Sequence, residues 1–258
     1  MATKINSDGV HASTLGNGRP LFLFHSLLSD SESFNTIAPR LAERFKVIVP
    51  DLPGFGSSLA VDGGFESVAD RMAAFVQSIA PDGDAILFGN GYGAFVALQI
   101  AIRHPTIPTS LILAGCGARF SETGRDAFRN MAAAGRAKGL AVVADTAMTR
   151  LFAPDFQAAH PDLMADRRRA FLRTDLDVFE QACLSLAALD LSARLEAVRV
   201  PVLMMVGDQD KATPPEMAIG LAASIPGAEL RILPGCAHVP PLQAPDLVIR
   251  NMLAFLST

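Results

Sequence analysis

The segment FGNGYGAFVALQIA, residues 88–101, decides the fold because it places closely spaced glycines between two apolar runs. The residues AILF before it favour a buried strand, and the residues after Gly93 favour a helix. The segment therefore predicts a strand, a tight glycine turn and the start of a helix. Two unrelated sites use this layout: a dinucleotide-binding loop, G-x-G-x-x-G/A, and an elbow that displays a nucleophile, G-x-S-x-G.

The position of the turn in the chain separates these two interpretations. Gly89, Gly91 and Ala94 match the dinucleotide spacing, whereas Gly89 and Gly93 match the flanking glycines of the elbow. In the elbow interpretation, Gly91 stands in the place of the nucleophile. A dinucleotide loop normally follows the first strand, and the next strand ends in an acidic residue. Here at least two predicted strands come first and the next strand, LILAGCG, ends without an acid, so the elbow is favoured.

Composition narrows the class of protein and its location. The 258 residues are 50% hydrophobic and 19% charged, and no apolar run approaches the roughly 20 residues of a membrane-spanning helix. The opening residues MATKINSDGV contain one lysine and are not followed by an apolar segment. A signal peptide is therefore not expected, and the predicted location is cytoplasmic.

Charge and cysteine usage bear on the ligands. The net charge is −4, and the only compact basic run, Arg167–Arg169, has aspartates beside it. We interpret this run as a solvated helix face, with contact to an anionic ligand as the alternative, and we do not expect nucleic-acid binding. The three cysteines are far apart and form no C-x-x-C motif, which is typical of buried thiols and not of a disulfide framework or zinc site.

Strand-like and helix-like segments alternate along most of the chain. VHASTLG (10–16) and PLFLFH (20–25) flank the turn residues NGR, which suggests a hairpin. Residues 119–199 differ, because alanine-rich amphipathic patterns replace every strand signal. We therefore predict an α/β fold in which residues 1–118 and 200–258 form a mostly parallel, doubly wound sheet and residues 119–199 form a helical cap.

Two later loops carry the residue types that act with an elbow nucleophile. VLMMVGDQDKATPP (202–215) places Asp208 and Asp210 after a buried strand, and LRILPGCAHVPPL (230–242) places His238 after the next strand. Loops at the carboxyl ends of strands in an open α/β sheet are where catalytic groups gather. A carboxylate there can hold the Nδ1–H of the imidazole, so that Nε2 faces the substrate as a general base.

Over essentially its whole length the chain resembles the α/β-hydrolases. Within that superfamily it looks most like the 3-oxoadipate enol-lactonase branch, whose members often carry HS where other hydrolases have HG. The cap segment LFAPDFQAAHPDL (151–163) is also similar to that branch. The superfamily resemblance rests on the segments FLFHSLLSD, VIVPDLPGFGSS, GNGYG, PVLMMVGDQDKATP and PGCAHVP.

The resemblance implies a role for each residue that matches the family pattern. Asp210 corresponds to the acid of a catalytic triad and His238 to its histidine, while Asp208 corresponds to a turn residue. The oxyanion hole corresponds to the backbone N–H groups of Leu27 and Tyr92, whose side chains the pattern leaves free. The implied activity is hydrolysis of a small ester, lactone or enol-lactone, with no metal or organic cofactor.

Gly91 leaves this implied mechanism without a nucleophile, although glycine suits a strained turn. Three explanations stay open: an inactivating substitution, a natural enzyme in which His238 and Asp210 act on water or a substrate proton, or a binding protein on this scaffold. Some relatives resembling aminoacrylate hydrolases lack the elbow serine, and cofactor-free dioxygenases on this fold work chiefly through a His–Asp pair. The missing hydroxymethyl group would leave room for a water about 3 Å from the imidazole.

The substrate is the least specified part of the prediction. Ser26, Arg119 and Phe152 are the candidate substrate-binding residues, and helix packing is the alternative for Phe152. Arg150 and Arg173 are further candidates to meet a substrate carboxylate. The predicted partner is a small-molecule substrate, with neither nucleic acid nor membrane, and the chain is expected to be a monomer or homodimer.

Overall fold

The computed structural model describes residues 2–257, and an eight-stranded sheet runs through it. The strands are β1 (Thr3–Ser7), β2 (Val10–Leu15), β3 (Pro20–Phe24), β4 (Lys46–Pro50), β5 (Ala85–Asn90), β6 (Pro108–Ala114), β7 (Val202–Gly207) and β8 (Glu229–Leu233). Their order in the sheet is β1-β2-β4-β3-β5-β6-β7-β8. β2 is antiparallel to β1 and β4, and all other neighbours are parallel. The predicted mostly parallel α/β sheet is confirmed.

Helices cover the sheet and form a separate group between β6 and β7. The helices are α1 (Ala38–Leu41), α2 (Gly64–Ile79), α3 (Tyr92–Arg103), α4 (Glu122–Lys138), α5 (Ala141–Leu151), α6 (Pro154–Ala159), α7 (Pro161–Phe171), α8 (Leu176–Ala188), α9 (Pro215–Ser224), α10 (Pro240–Gln243) and α11 (Pro245–Leu256). Within residues 2–257 no helix has both the length and the apolar character needed to cross a membrane.

Both faces of the sheet are buried, which explains why its central strands are apolar at every position. In β3, Phe22 and Phe24 point into one hydrophobic core, whereas Leu21 and Leu23 point into another on the opposite face. The first core continues through α2, α3 and the helices between β6 and β7, and the second continues through α1 and α11. Successive side chains of a strand alternate between faces, so a sheet covered on both sides needs continuous apolar runs.

The hairpin expected between residues 10–16 and 20–25 is wrong. β4 lies between β2 and β3, so these two strands are not neighbours. The hairpin instead joins β1 to β2 through Asp8 and Gly9, which both have positive φ as a two-residue turn of type I′ requires. The fully buried β3 needs a parallel partner on each side, whereas the half-exposed β2 fits near the edge.

Five helices, α4 to α8, occupy the segment that the sequence assigned to the cap, and we call residues 119–199 the cap. Ser121 begins α4 by accepting a hydrogen bond from the N–H of Gly124, and Asp175 begins α8 by accepting from the N–H groups of residues 177 and 178. A β-bridge between Arg119 and Asp190 joins the two ends of the cap. The cap is therefore one continuous segment between β6 and β7, and its first and last parts lie next to each other.

The interpretation of Arg167–Arg169 as a solvated face is wrong for Arg167. Its side chain is only 7% exposed and lies 2.6 Å from Asp30, 2.7 Å from Glu32 and 2.6 Å from Asp166. The next two arginines in the run stay partly exposed. We call Arg167, Asp166, Asp30 and Glu32 the cap–core ion cluster. Arg167 and Asp166 lie on α7, and Asp30 and Glu32 lie in the turn that follows β3.

Replacing Arg167 with methionine should destabilise the fold by about 1–3 kcal/mol, because partly buried carboxylates lose their shared cation. Urea unfolding followed by circular dichroism measures this loss. The matched control is Arg168→Met, which removes an exposed pair with Asp145 and should change stability by less than about 0.5 kcal/mol. Equal effects of the two substitutions would show that the cluster does not hold the cap to the core.

Candidate active site

The glycine turn lies where the sequence predicts it, between the end of β5 and the start of α3. Gly91 has φ 52° and ψ −118°, a conformation that side-chain-bearing residues rarely adopt. Its N–H donates to the carbonyl of Ala114 at 2.8 Å, and its carbonyl accepts from the N–H of Ala94 at 2.8 Å. The predicted strand, turn and helix are confirmed.

The flanking glycines are required by the close approach of backbone segments. A Cβ on Gly89 would lie 2.3 Å from the carbonyl oxygen of Gly93, and a Cβ on Gly93 would lie 2.3 Å from that of Phe24. α3 therefore leaves the turn pressed against the ends of β3 and β5. This packing accounts for the glycine spacing without a bound phosphate.

Asp210 and His238, from the loops after β7 and β8, form a buried pair. The Nδ1 atom of His238 is 2.8 Å from Oδ2 of Asp210, which also accepts from the hydroxyl of Thr213 at 2.8 Å. The other carboxylate oxygen accepts from the N–H groups of Ala212 and Thr213 at 2.8 and 2.9 Å. An ionised carboxylate only accepts hydrogen bonds, so Nδ1 carries the proton and Nε2 presents its lone pair.

The surroundings of Asp210 favour its charged form. Burial alone would raise its pKa, but the attraction to the His238 ring whenever that ring is protonated, and the hydrogen bonds from His238 and Thr213, oppose burial and hold the pKa below its usual value. A carboxyl whose pKa is lowered by folding stabilises the fold above its unfolded pKa of about 3.9 and loses that contribution as the pH falls through the folded value.

We therefore expect the stability difference between the protein and its Asp210→Asn variant to narrow as the pH is lowered from about 5 to about 2. Chemical unfolding of both proteins across this range measures the difference. Other carboxyl groups titrate in both proteins and cancel in the comparison. A difference that stays constant or widens toward acid would contradict the lowered pKa.

On the other side of the imidazole, Nε2 faces Ser26 and the turn at Gly91. The hydroxyl of Ser26 lies 3.4 Å from Nε2. A Cβ built on Gly91 would lie 2.5 Å from both Nε2 and the Ser26 hydroxyl oxygen. These two groups therefore crowd the space that a side chain at position 91 would use, and a water oxygen cannot occupy the Cβ position itself.

Two backbone N–H groups near this pair are available to a ligand. Within residues 2–257, neither the N–H of Leu27 nor that of Tyr92 has a protein acceptor. Tyr92 is the first residue of α3, where the helix dipole and the unpaired N–H groups favour negative charge. Both residues line the same cavity as His238. The arrangement offers donors for an oxyanion beside a general base.

The cavity above the pair is mostly apolar and narrow, and only about 30 Å³ of it is open to a molecule the size of water. Its lining combines core and cap residues: Ser26, Leu27, Leu28, Gly91, Tyr92, Phe95, Phe120, Phe128, Met131, Arg150, Leu186, Ala212, Thr213 and His238. Arg150 is the one arginine or lysine of this lining, and it makes no ion pair within the described chain. An anionic group of a ligand would meet this cation.

Some of the predicted substrate-binding residues line the cavity, and the others lie outside its lining. Ser26 lines the cavity. Arg119 lies outside the lining, 65% exposed and 3.6 Å from Asp190, and Arg173 lies beside the cap–core ion cluster. Phe152 is buried in the cap core and also lies outside the lining. Of the three cap arginines proposed from the sequence, Arg119, Arg150 and Arg173, Arg150 lines the cavity and the other two do not.

Sequence reasoning missed the groups that fix the backbone of His238. The side-chain amide of Asn90 donates to the carbonyl of His238 at 2.8 Å. The carbonyl of Leu151, at the end of α5, accepts from the N–H groups of His238 and Val239 at 3.0 and 3.2 Å. Asn90, a polar residue at the end of the otherwise apolar β5, could have indicated this role in the sequence. A hydrogen bond to the backbone carbonyl of Leu151 cannot be predicted from residue types.

The chain matches a family model described as the alpha/beta hydrolase family over residues 21–251. It is 27% identical to a pimeloyl-[acyl-carrier protein] methyl ester esterase from Nitrosospira multiformis, over 95% of this chain and 97% of that protein. A thermophilic esterase from Thermogutta terrifontis superposes with a TM-score of 0.88 and 27% identity, covering 100% of this chain and 98% of that one. An enol-lactonase from Burkholderia xenovorans gives a TM-score of 0.91 at 23% identity, covering 99% and 100%, and this likeness concerns the fold alone.

Proposed function

Because the chain belongs to the alpha/beta hydrolase family, we propose that it hydrolyses a small carboxylic ester, lactone or enol-lactone. The observation that carries this proposal is the buried Asp210–His238 pair, whose Nε2 faces an apolar cavity next to unpaired backbone N–H groups. The similarity to proteins named as esterases supports the same reaction class.

In this proposal each group of the site has a distinct task. His238 removes a proton from the attacking hydroxyl or water and returns it to the leaving group. Asp210 keeps the imidazole in the tautomer and orientation that leave Nε2 free, and stabilises the imidazolium that forms. The N–H groups of Leu27 and Tyr92 stabilise the negative charge that develops on the substrate oxygen.

The cavity lining supports a substrate with an apolar acyl group and an anionic end. Aromatic and aliphatic side chains such as Phe95, Phe128 and Met131 line the cavity together with Arg150. A half-buried guanidinium without a protein partner can form charge-assisted hydrogen bonds to a carboxylate. We therefore include a carboxylate-bearing ester in the proposed substrate class.

The test compares hydrolysis of p-nitrophenyl butyrate, a p-nitrophenyl ester with a terminal carboxylate, and a γ-lactone followed by pH-stat. The His238→Ala variant should lose at least about 10³-fold in kcat/KM because the general base is removed. The control His160→Ala replaces an exposed histidine of the cap and should behave as the unaltered protein. Turnover that survives His238→Ala, or is absent from the unaltered protein, would contradict the proposal.

Arg150→Gln tests the substrate class within the same assays. It should raise KM for the carboxylate-bearing ester by about 10-fold and leave the neutral ester unchanged, because only the former loses a charge-assisted contact. Equal effects on both esters would assign Arg150 to cavity shape and not to charge recognition.

A second candidate function is ligand binding without turnover, which the absence of a functional group at Gly91 favours. It predicts no hydrolysis above buffer by the unaltered protein, together with calorimetric binding of a carboxylate-bearing ester that does not require His238. These results would replace the hydrolase proposal.

A further inference from the structure

Ser26 is the hydroxyl that faces the general base of this site. Its Oγ lies 3.4 Å from Nε2 of His238, and the residue is 2% exposed. Within residues 2–257 this is the one side-chain hydrogen bond of Ser26. The two residues are 212 positions apart in the chain, so the contact depends on the tertiary fold.

The direction of this hydrogen bond follows from the other end of the imidazole. Nδ1 donates to the ionised Asp210, which leaves Nε2 unprotonated and able only to accept. The hydroxyl of Ser26 must then be the donor. A hydroxyl donating to an imidazole that a carboxylate holds in place is the arrangement of an activated serine.

Two hydrogen bonds hold the backbone carbonyl of Ser26 in place. Its carbonyl accepts from the N–H of Ser29 at 3.2 Å and from Nδ1 of His25 at 3.0 Å. His25 is fully buried and its Nε2 accepts from the N–H of Leu52 at 3.1 Å. Burial also lowers the pKa of His25, which keeps its ring neutral and able to both donate and accept.

Gly91 is the reason that Ser26 and His238 can meet. A Cβ at position 91 would lie 2.5 Å from both the Ser26 oxygen and Nε2, well inside ordinary contact distance. A larger residue at the turn would require one or both of these side chains to shift or rotate. The present Ser26–His238 contact therefore depends on the absence of a side chain at position 91.

We propose that Ser26 is the catalytic nucleophile of this chain, in place of a residue at the elbow; this inference rests on the ester hydrolysis proposed above. His238 takes the hydroxyl proton of Ser26 as Oγ bonds to the substrate carbonyl carbon. The carbon–alkoxy bond then breaks, and the imidazolium protonates the departing alcohol. A water next gives its proton to His238 and attacks the acyl carbon, the Oγ–carbon bond breaks, and Ser26 regains its proton.

The unpaired N–H groups suit a nucleophile at this position. In an elbow, the N–H of the residue after the nucleophile is one oxyanion donor, and Leu27 directly follows Ser26. The N–H of Tyr92, at the start of α3, supplies a second donor to the same cavity. Both N–H groups lie in the cavity that Ser26 also lines, so they are available to an oxyanion formed by attack of Ser26.

The experiment combines a covalent probe with substitutions in the loop after β3. The unaltered protein and its Ser26→Ala, Ser29→Ala and His238→Ala variants are treated with diisopropyl fluorophosphate, and the modified residue is located by peptide mass spectrometry. Ser29 is the matched control, since it is buried in the same loop and its hydroxyl has no partner within the described residues. Esterase turnover of each variant is measured in parallel.

We expect the phosphoryl adduct on Ser26 in the unaltered protein and in Ser29→Ala, and no adduct in Ser26→Ala. Ser26→Ala should lose at least about 10²-fold in kcat, and Ser29→Ala less than about threefold. Turnover that survives Ser26→Ala but is lost in His238→Ala would overturn the nucleophile assignment and leave the hydrolase proposal intact. An adduct on Ser26 without ester turnover would overturn the hydrolase proposal and with it the catalytic role of Ser26, while showing that its hydroxyl is activated; the absence of both would overturn the activation as well.

Discussion

Gly91→Ala should abolish most of the proposed ester hydrolysis, lowering kcat/KM by about 10²–10³-fold. The added Cβ would lie 2.5 Å from Nε2 of His238 and from the hydroxyl of Ser26. At least one of these side chains must shift or rotate, and a displacement of about 1 Å would remove the alignment of the proposed nucleophile with its base. Steady-state kinetics with p-nitrophenyl butyrate measure the effect.

The Gly91→Ala variant should also be less stable, and this loss of stability must be separated from the loss of activity. An alanine at φ 52° and ψ −118° is strained by about 1–3 kcal/mol, which urea unfolding detects. The kinetics are therefore measured where both proteins are fully folded. Full activity in a folded Gly91→Ala variant would show that the space at position 91 is not part of the reacting centre.

Gly91→Ser introduces the same steric change but supplies a hydroxyl at the elbow. We expect it to recover at least about 10-fold of the activity lost in Gly91→Ala, with the phosphoryl adduct moving from Ser26 to the new side chain. Equal inactivity of the two variants would indicate that the loops of this chain no longer accommodate an elbow nucleophile.

Asp210→Asn should lower kcat by about 10²–10⁴-fold with little change in KM. A neutral amide can donate to Nδ1, which favours the tautomer with its proton on Nε2 and removes the lone pair that accepts the hydroxyl proton. The side chain keeps its shape, so binding of substrate in the cavity is retained. The kcat and KM values obtained with each p-nitrophenyl ester separate the two effects.

The control is Asp208→Asn, two residues earlier in the same loop. Asp208 is exposed and accepts from the N–H of Gly235 at 2.8 Å, without contacting His238. This substitution should leave kcat within about threefold of the unaltered protein. A loss equal to that of Asp210→Asn would assign both effects to the structure of the loop.

The parts of the fold and site that the sequence predicts are those with a local physical cause. The glycine spacing of the turn follows from backbone crossings that admit no Cβ at Gly89 or Gly93. The acid and histidine loops follow from apolar runs that end in polar residues, because parallel strands present their carboxyl ends at one edge of the sheet. Asp210 and His238 meet there as the order of the strands requires.

The parts that the sequence does not predict depend on which distant segments meet. Alternating residues define β2 and β3 as strands but do not show that β4 lies between them. Arg167 appears as one member of a basic run, and only the packing of α7 on the turn after β3 gives it buried partners. The contact of Ser26 with His238 likewise depends on the crowding at Gly91, which a motif match does not describe.

The two hydrogen bonds at the Leu151 carbonyl couple the movement of the cap to the placement of the reacting imidazole. Because the end of α5 holds the N–H groups of His238 and Val239, lifting that end of the cap would release the loop that carries the histidine. Opening of the cap at α5 would therefore leave Asn90 and Asp210 among the remaining hydrogen-bond partners of His238.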